Sequence, residues 1–197
     1  MRHRKKGRKL GRNPRHQRAL LRSLAVALIL TEQDYREDDE LKPKVPGRIV
    51  TTLAKAKEVR PLVERCITIA RRVLPQLEHA RSVEPDVARN SEKWRQWRQG
   101  EGWQEWAKAM APVVAARRHI LKLLHSKQAV RIIFDKLAPR FANRPGGYTR
   151  ILRLPAPRLG DAGPKAILEF VGKNDRVKRK APRPTFEPVT ATEGATT

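Results

Sequence analysis

The chain reads as an α+β protein: one helix, a short strand, further helices, then an antiparallel pair of strands. Three observations predict this order. Apolar residues recur at helical spacing in several separate stretches. The run Arg48-Ile49-Val50-Thr51 is β-branched and short. Near the C-terminal end, Tyr148–Leu154 and Ala166–Val171 read as strands, separated by a loop containing Pro155, Pro157, Gly160 and Gly163.

The first helix begins at Asn13-Pro14, a capping residue followed by proline at the first helical position, and runs to about Thr31. Leu21, Leu24 and Leu28 mark its buried stripe, and Arg15, Arg18 and Arg22 repeat on another face. Glu32 to Gly47 is acidic, then rich in proline, and predicts a solvated loop. Thr52 is placed to cap a helix from Leu53 to about Val73, with Val59, Leu62, Val63, Cys66, Ala70 and Val73 inward. Pro61 falls inside that pattern and predicts a kink or a split near Arg60.

All four tryptophans lie between Pro75 and Pro112, as two i, i+3 pairs separated by Gly100 and Gly102. That spacing predicts two short helices joined by a turn, an appendage with its own apolar cluster. Val113–Leu124 predicts another helix, and Ser126 the cap of a further one that Pro139 ends at Leu137. Pro145-Gly146-Gly147 predicts a turn. The expected organisation is a basic arm at 1–12 and one domain at 13–171. That domain would carry insertions at about 33–47 and 74–112, and a polar, basic tail without fixed structure would follow at 172–197.

Charge limits the function. The 197 residues hold 44 Lys+Arg against 20 Asp+Glu, a formal net charge of +24. So basic a chain repels itself until an anionic partner neutralises it. The charge is concentrated: Arg2, Arg4, Lys5, Lys6, Arg8, Lys9, Arg12, Arg15, Arg18 and Arg22 all precede the first acid, Glu32. Phosphate neutralisation by such a segment supplies most sequence-independent affinity for nucleic acid. RNA is favoured over DNA, because no recognition-helix motif or zinc finger is evident and basic arms suit the irregular grooves of folded RNA.

Other chemistries are poorly served. The single cysteine, Cys66, allows no internal disulfide and no multi-cysteine zinc site, and its apolar stripe points to a core thiol. The longest apolar run, Leu24 to Leu30, is far short of the ~20 residues of a membrane span. The N-terminus does not read as a signal peptide. His3, His16, His79, His119 and His125 form no i, i+4 pair; His3 and His16 read as part of the phosphate-facing surface. A nuclease would need clustered metal-binding carboxylates, and Asp135, Asp161, Glu169 and Asp175 are scattered. No cofactor, metal or small-molecule substrate is expected.

The segment Arg140-Phe141-Ala142-Asn143-Arg144-Pro145-Gly146-Gly147-Tyr148-Thr149-Arg150 is the second basic signal. Adjacent glycines let backbone approach a phosphate, with three arginines around them. It lacks the Lys-Ser/Thr of a nucleotide-binding loop. Tyr148 either stacks on a base or packs in the core; the residues alone leave these even.

Three separated motifs carry a resemblance. Met1-Arg2-His3-Arg4-Lys5-Lys6-Gly7-Arg8-Lys9-Leu10 with Arg12-Asn13 is the first. Thr51-Thr52-Leu53-Ala54-Lys55-Ala56-Lys57-Glu58 is the second. The third joins Leu137–Phe141, Asn143-Arg144 and Gly146-Gly147-Tyr148-Thr149-Arg150-Ile151-Leu152, with Gly160-Asp161 and Glu169-Phe170-Val171 beyond it. In this order they resemble the family of the seventeenth protein of the bacterial large ribosomal subunit, over roughly 100 residues, one small domain.

The resemblance implies a two-layer fold with a small three-stranded sheet packed against helices. It implies a structural, non-enzymatic role in the cytoplasmic ribosome. The chain would sit there as a monomer on large-subunit (23S) ribosomal RNA, near the peptide exit region and beside other large-subunit proteins. The RNA-facing residues it implies are the basic N-terminus with Arg140, Arg144, Tyr148 and Arg150; Lys55, Gly146 and Gly147 complete the candidate set. The acidic segment and the tryptophan segment are longer than the family's usual connections. A free nucleoid-type or RNA-chaperone protein is the competing reading that composition leaves open.

Overall fold

The computed structural model describes residues 8, 10–36, 39, 40 and 42–172. Expectations for Arg2, His3, Arg4, Lys5, Lys6, Lys9 and the tail from 173 onward lie outside the described residues.

Helix α1 spans Pro14–Leu30. The Asn13 side chain accepts the Arg15 N–H at 2.8 Å, so the cap is formed as expected. Ala25, Leu28 and Ile29 are its buried residues, with Leu21 and Leu24 partly buried beside them. Strand β1 (Arg48–Thr52) leads directly into α2 (Leu53–Arg72). Thr52 makes no side-chain cap; instead the Leu53 N–H is taken by the Pro164 carbonyl at 2.9 Å. That tie fixes the start of α2 to the sheet. Of the kink or split expected at Pro61, the split does not occur: α2 continues through it from Leu53 to Arg72. Pro61 is exposed, so the freed Lys57 carbonyl can be hydrated. The cost of about 3 kcal/mol is offset by burial of Val59, Val63, Cys66 and Ile67 around it.

Helix α3 (Leu74–Val83) follows, then α4 (Glu92–Gln99) and α5 (Glu101–Leu124). The expected two short tryptophan helices and the helix from Val113 are therefore wrongly divided. Trp103 and Trp106 sit on the first turns of one 24-residue helix, which passes through exposed Pro112. Gly102 lies within that helix, and a Cβ there would lie 2.7 Å from the Trp97 indole nitrogen, so the glycine lets Trp97 pack against the first turn. α3 packs along α5, and the pair His79–Glu105 links them at 3.3 Å.

His125 ends α5 in the left-handed conformation, φ 58°, and Ser126 caps α6 (Lys127–Ile132) by accepting the Ala129 N–H. Pro139 does not end this helix. A π turn at Ile133–Leu137 carries it into α7 (Ala138–Arg140). Its Ala138 N–H bonds back to the Ile133 carbonyl, which widens the helix just where proline lacks a donor.

Strands β2 (Thr149–Arg153) and β3 (Lys165–Phe170) complete a three-stranded antiparallel sheet of order β1-β3-β2. The register sets Ile49, Leu168 and Ile151 side by side on the face turned to α2. On the other face lie the rows Arg48–Glu169–Arg150 and Val50–Ile167–Leu152. The fold is thus helices on one side and one small sheet on the other, as the resemblance implied, with the core between them.

Candidate nucleic-acid interface

Arg12, Arg15, His16 and Arg18 are exposed along the start of α1. Gly11 precedes them with φ +109°, and its carbonyl accepts from Gln17 Nε2 at 2.6 Å, which folds the incoming chain onto the helix. Arg22 differs from the others. It is half-buried, and its Nε donates to the Leu123 carbonyl at 3.0 Å, binding α1 to the end of α5. Arg8 pairs with Glu58 of α2 at 3.2 Å, so this part of the basic segment is tied to the second motif.

The third motif is assembled mainly by internal bonds. Arg140 donates to Glu32 Oε1 at 3.0 Å and to the Val171 carbonyl at 2.9 Å, and its guanidinium lies over the Phe141 ring. Glu32, expected in a solvated acidic loop, is a largely covered partner of the core. Lys136 reaches the Glu32 carbonyl and Asp34 from the π turn. Arg71 donates to the Arg144 carbonyl at 3.1 Å, holding the loop on α2. Arg150 pairs with Glu169 on the neighbouring strand, opposite which the register places it.

Tyr148 is fully buried, with its ring centroid 5.1 Å from that of Phe141. The stacking role therefore has no ring face to use, and Tyr148 is a core residue. The two glycines are the reverse case. Nothing lies within 4 Å of a Cβ placed at Gly146 or Gly147, and Gly147 has φ +63°. Their backbone is open to a close-approaching group.

One cleft gathers several cations. Lys57 and Arg60 of α2, with Thr149, Arg150 and Arg153 of the edge strand β2, line a cleft of about 390 Å³. Arg60 also bonds Glu64 at 3.0 Å, and Glu64 accepts from Thr149 Oγ1 at 2.8 Å, joining helix to strand beneath the charges. Lys57, Arg60 and Arg153 were not among the sequence candidates. Their signal was the i, i+3 spacing of Lys57 and Arg60, beside two strand arginines three apart. Lys55 lies instead beside Val50, Arg158 and Lys165 in a smaller cleft. There Arg158 holds the Asp161 carboxyl well below its usual range by hydrogen bonding, and the Gly163 N–H adds to this.

Among the described residues no group of three or more His, Cys, Asp or Glu could hold a metal, and no helix is long and apolar enough to cross a membrane. Burial pushes the Cys66 thiol up to about 12, as expected of a core residue and not of a nucleophile.

The family model described as ribosomal protein L17 matches residues 20–171. The large ribosomal subunit protein bL17 of Rhodopirellula baltica is 59% identical over 187 residues, covering 95% of this chain and 89% of that protein. The bL17 protein of Thermomicrobium roseum is 37% identical, with 87% of this chain and 99% of the relative covered. That of Nitratidesulfovibrio vulgaris is 35% identical, with 86% and 87% covered.

Proposed function

The chain belongs to the ribosomal protein L17 family, a structural component of the large ribosomal subunit and not an enzyme, and from that premise we propose that it binds large-subunit (23S) ribosomal RNA near the peptide exit region. The observation that carries this reading is the cationic cleft between α2 and β2, built from residues of the second and third motifs and from Arg60 and Arg153 just beyond them. Arg12 just before α1, and Arg15, His16 and Arg18 on it, present further exposed positive or ionisable groups. The open backbone at Gly146-Gly147 lets a phosphate approach where a side chain would block it. Arg140 and Arg150 act first by holding this surface in place through Glu32 and Glu169. In this reading residues 1–12 are an RNA-binding arm, and neighbouring large-subunit proteins border a single copy of the chain.

Three measurements test it. The full chain should remain with large subunits through a moderate-salt wash. Deleting residues 1–12 and neutralising Lys57, Arg60 and Arg153 should weaken binding to large-subunit RNA by orders of magnitude and flatten its salt dependence. Each lost phosphate contact removes about 0.7–0.9 from the slope of log affinity against log salt. Undiminished affinity in that variant sinks the reading. A map of the assembled subunit with the chain far from the exit region would retire the location alone.

A further inference from the structure

The geometry points to a second RNA-strand site, in the groove between α5 and α6, independent of the arm and of the α2–β2 cleft; this rests on the RNA-binding reading above. The groove has a volume of about 500 Å³. Arg117 and Arg118 approach it from α5, and Lys127 and Arg131 from α6. Its floor is aliphatic: Val114, Leu121 and Val130.

Three features make these cations available to a partner. First, they are not consumed internally. Arg8, Arg60, Lys136, Arg140, Arg150 and Arg158 all have carboxylate partners. Among the described residues, none of the four groove cations has a carboxylate within ion-pair distance, including Asp135, the one acid lining the groove. Secondly, all four are exposed, so their charges meet solvent or a partner. Thirdly, the guanidinium of Arg117 lies over the Phe134 ring, 5.0 Å from its centroid. That contact holds the plane of Arg117 against the helix wall, and guanidinium planes are surfaces on which unpaired bases stack.

Cations on two opposing walls with an apolar floor match the layout of a single RNA strand. Phosphates lie at the walls, and a base or ribose edge covers Val114 and Leu121. An acidic protein helix would use the same charges, but the Arg117 guanidinium plane held on Phe134, on which a base stacks, favours the nucleic acid.

The test uses the full chain and a transcript of large-subunit ribosomal RNA. Changing Arg118, Lys127 and Arg131 together to Gln should lower affinity about tenfold or more and reduce the salt slope by about 2–3. The control changes Arg89, Lys93 and Arg95, exposed on and before α4, and removes the same net charge. If both variants lose the same amount, the effect is only the general field, and the groove site is overturned. If the groove variant binds as the parent does while deletion of residues 1–12 weakens binding, the groove fails and the RNA reading stands. If the parent itself does not bind, both fall.

A second measurement does not depend on the triple variant folding. Lys127→Cys places a reactive thiol at the groove, because buried Cys66 stays protonated. A tethered iron chelate there should cut the bound RNA backbone at a few discrete positions. No cutting, or cross-links from position 127 to a neighbouring protein alone in assembled subunits, assigns the groove to something other than RNA.

Discussion

At the residue scale, Tyr148 separates packing from recognition. Its ring fills the space beside Phe141, and its hydroxyl is buried without a hydrogen-bond partner among the described residues. A buried hydroxyl left unpaired costs about 1–3 kcal/mol. Tyr148→Phe should therefore fold at least as stably as the parent and bind RNA equally well. Tyr148→Ala should lose about 3–5 kcal/mol, the usual cost of emptying an aromatic core site. Denaturant unfolding read by circular dichroism, together with filter binding of RNA, checks both. An alanine variant with parental stability and much weaker RNA binding would restore the stacking role. The neighbouring glycines need no such test of packing, since their Cβ positions are open. Nor could the sequence show which arginines were already engaged: the partner of Arg140 lies 108 residues away, inside a stretch that looked merely acidic.

At the element scale, much of the fold was legible. Asn13-Pro14 announces α1, Ser126 announces α6, and the two C-terminal strands pair antiparallel as expected, while the pairing of β1 with β3 was not legible in the sequence. The failures share a cause. Gly102, Pro61, Pro112 and Pro139 all look like breaks locally, whereas Gly100 does separate α4 from α5. Each proline is exposed on its helix, and tertiary contacts overrule its local cost. The tryptophan segment is the clearest case. Helix α4 buries no residue of its own. It is held by Trp97, set edge-on to Trp103 and Trp106, and by Arg98 between Trp94 and Trp103. Trp97→Ala should therefore release α4 without unfolding the protein. Hydrogen exchange should show α4 amides losing protection while α5 from Ala109 onward, anchored by Val113, Ala116 and Ile120, keeps its own. Loss of protection throughout α5 would mean that the cluster supports the whole long helix.

At the scale of the whole molecule, the charge balance ties fold to function. The carboxylates of Glu32, Asp34, Glu58, Glu64, Asp161 and Glu169 are engaged with the chain's own basic side chains. The excess of positive charge therefore faces outward, and composition made that excess legible while giving no hint of the α2–β2 cleft or the α5–α6 groove. Mutual repulsion among these cations disfavours the compact state until an anion meets them. A polyanion that binds only the folded chain should raise its stability by the logarithm of its concentration over Kd. At a hundredfold excess over Kd that is about 2.7 kcal/mol, or a rise of about 5–10 °C in Tm for a chain of this size. Inorganic polyphosphate or RNA should produce the rise at low ionic strength, and added salt should diminish it by screening the contacts. A neutral polymer such as dextran provides the comparison. An equal rise with dextran would mean that excluded volume, not charge, is responsible. No rise with either polyanion would mean that these anions do not bind the folded chain in preference to the unfolded one, and that the outward cations form no fold-specific anion surface.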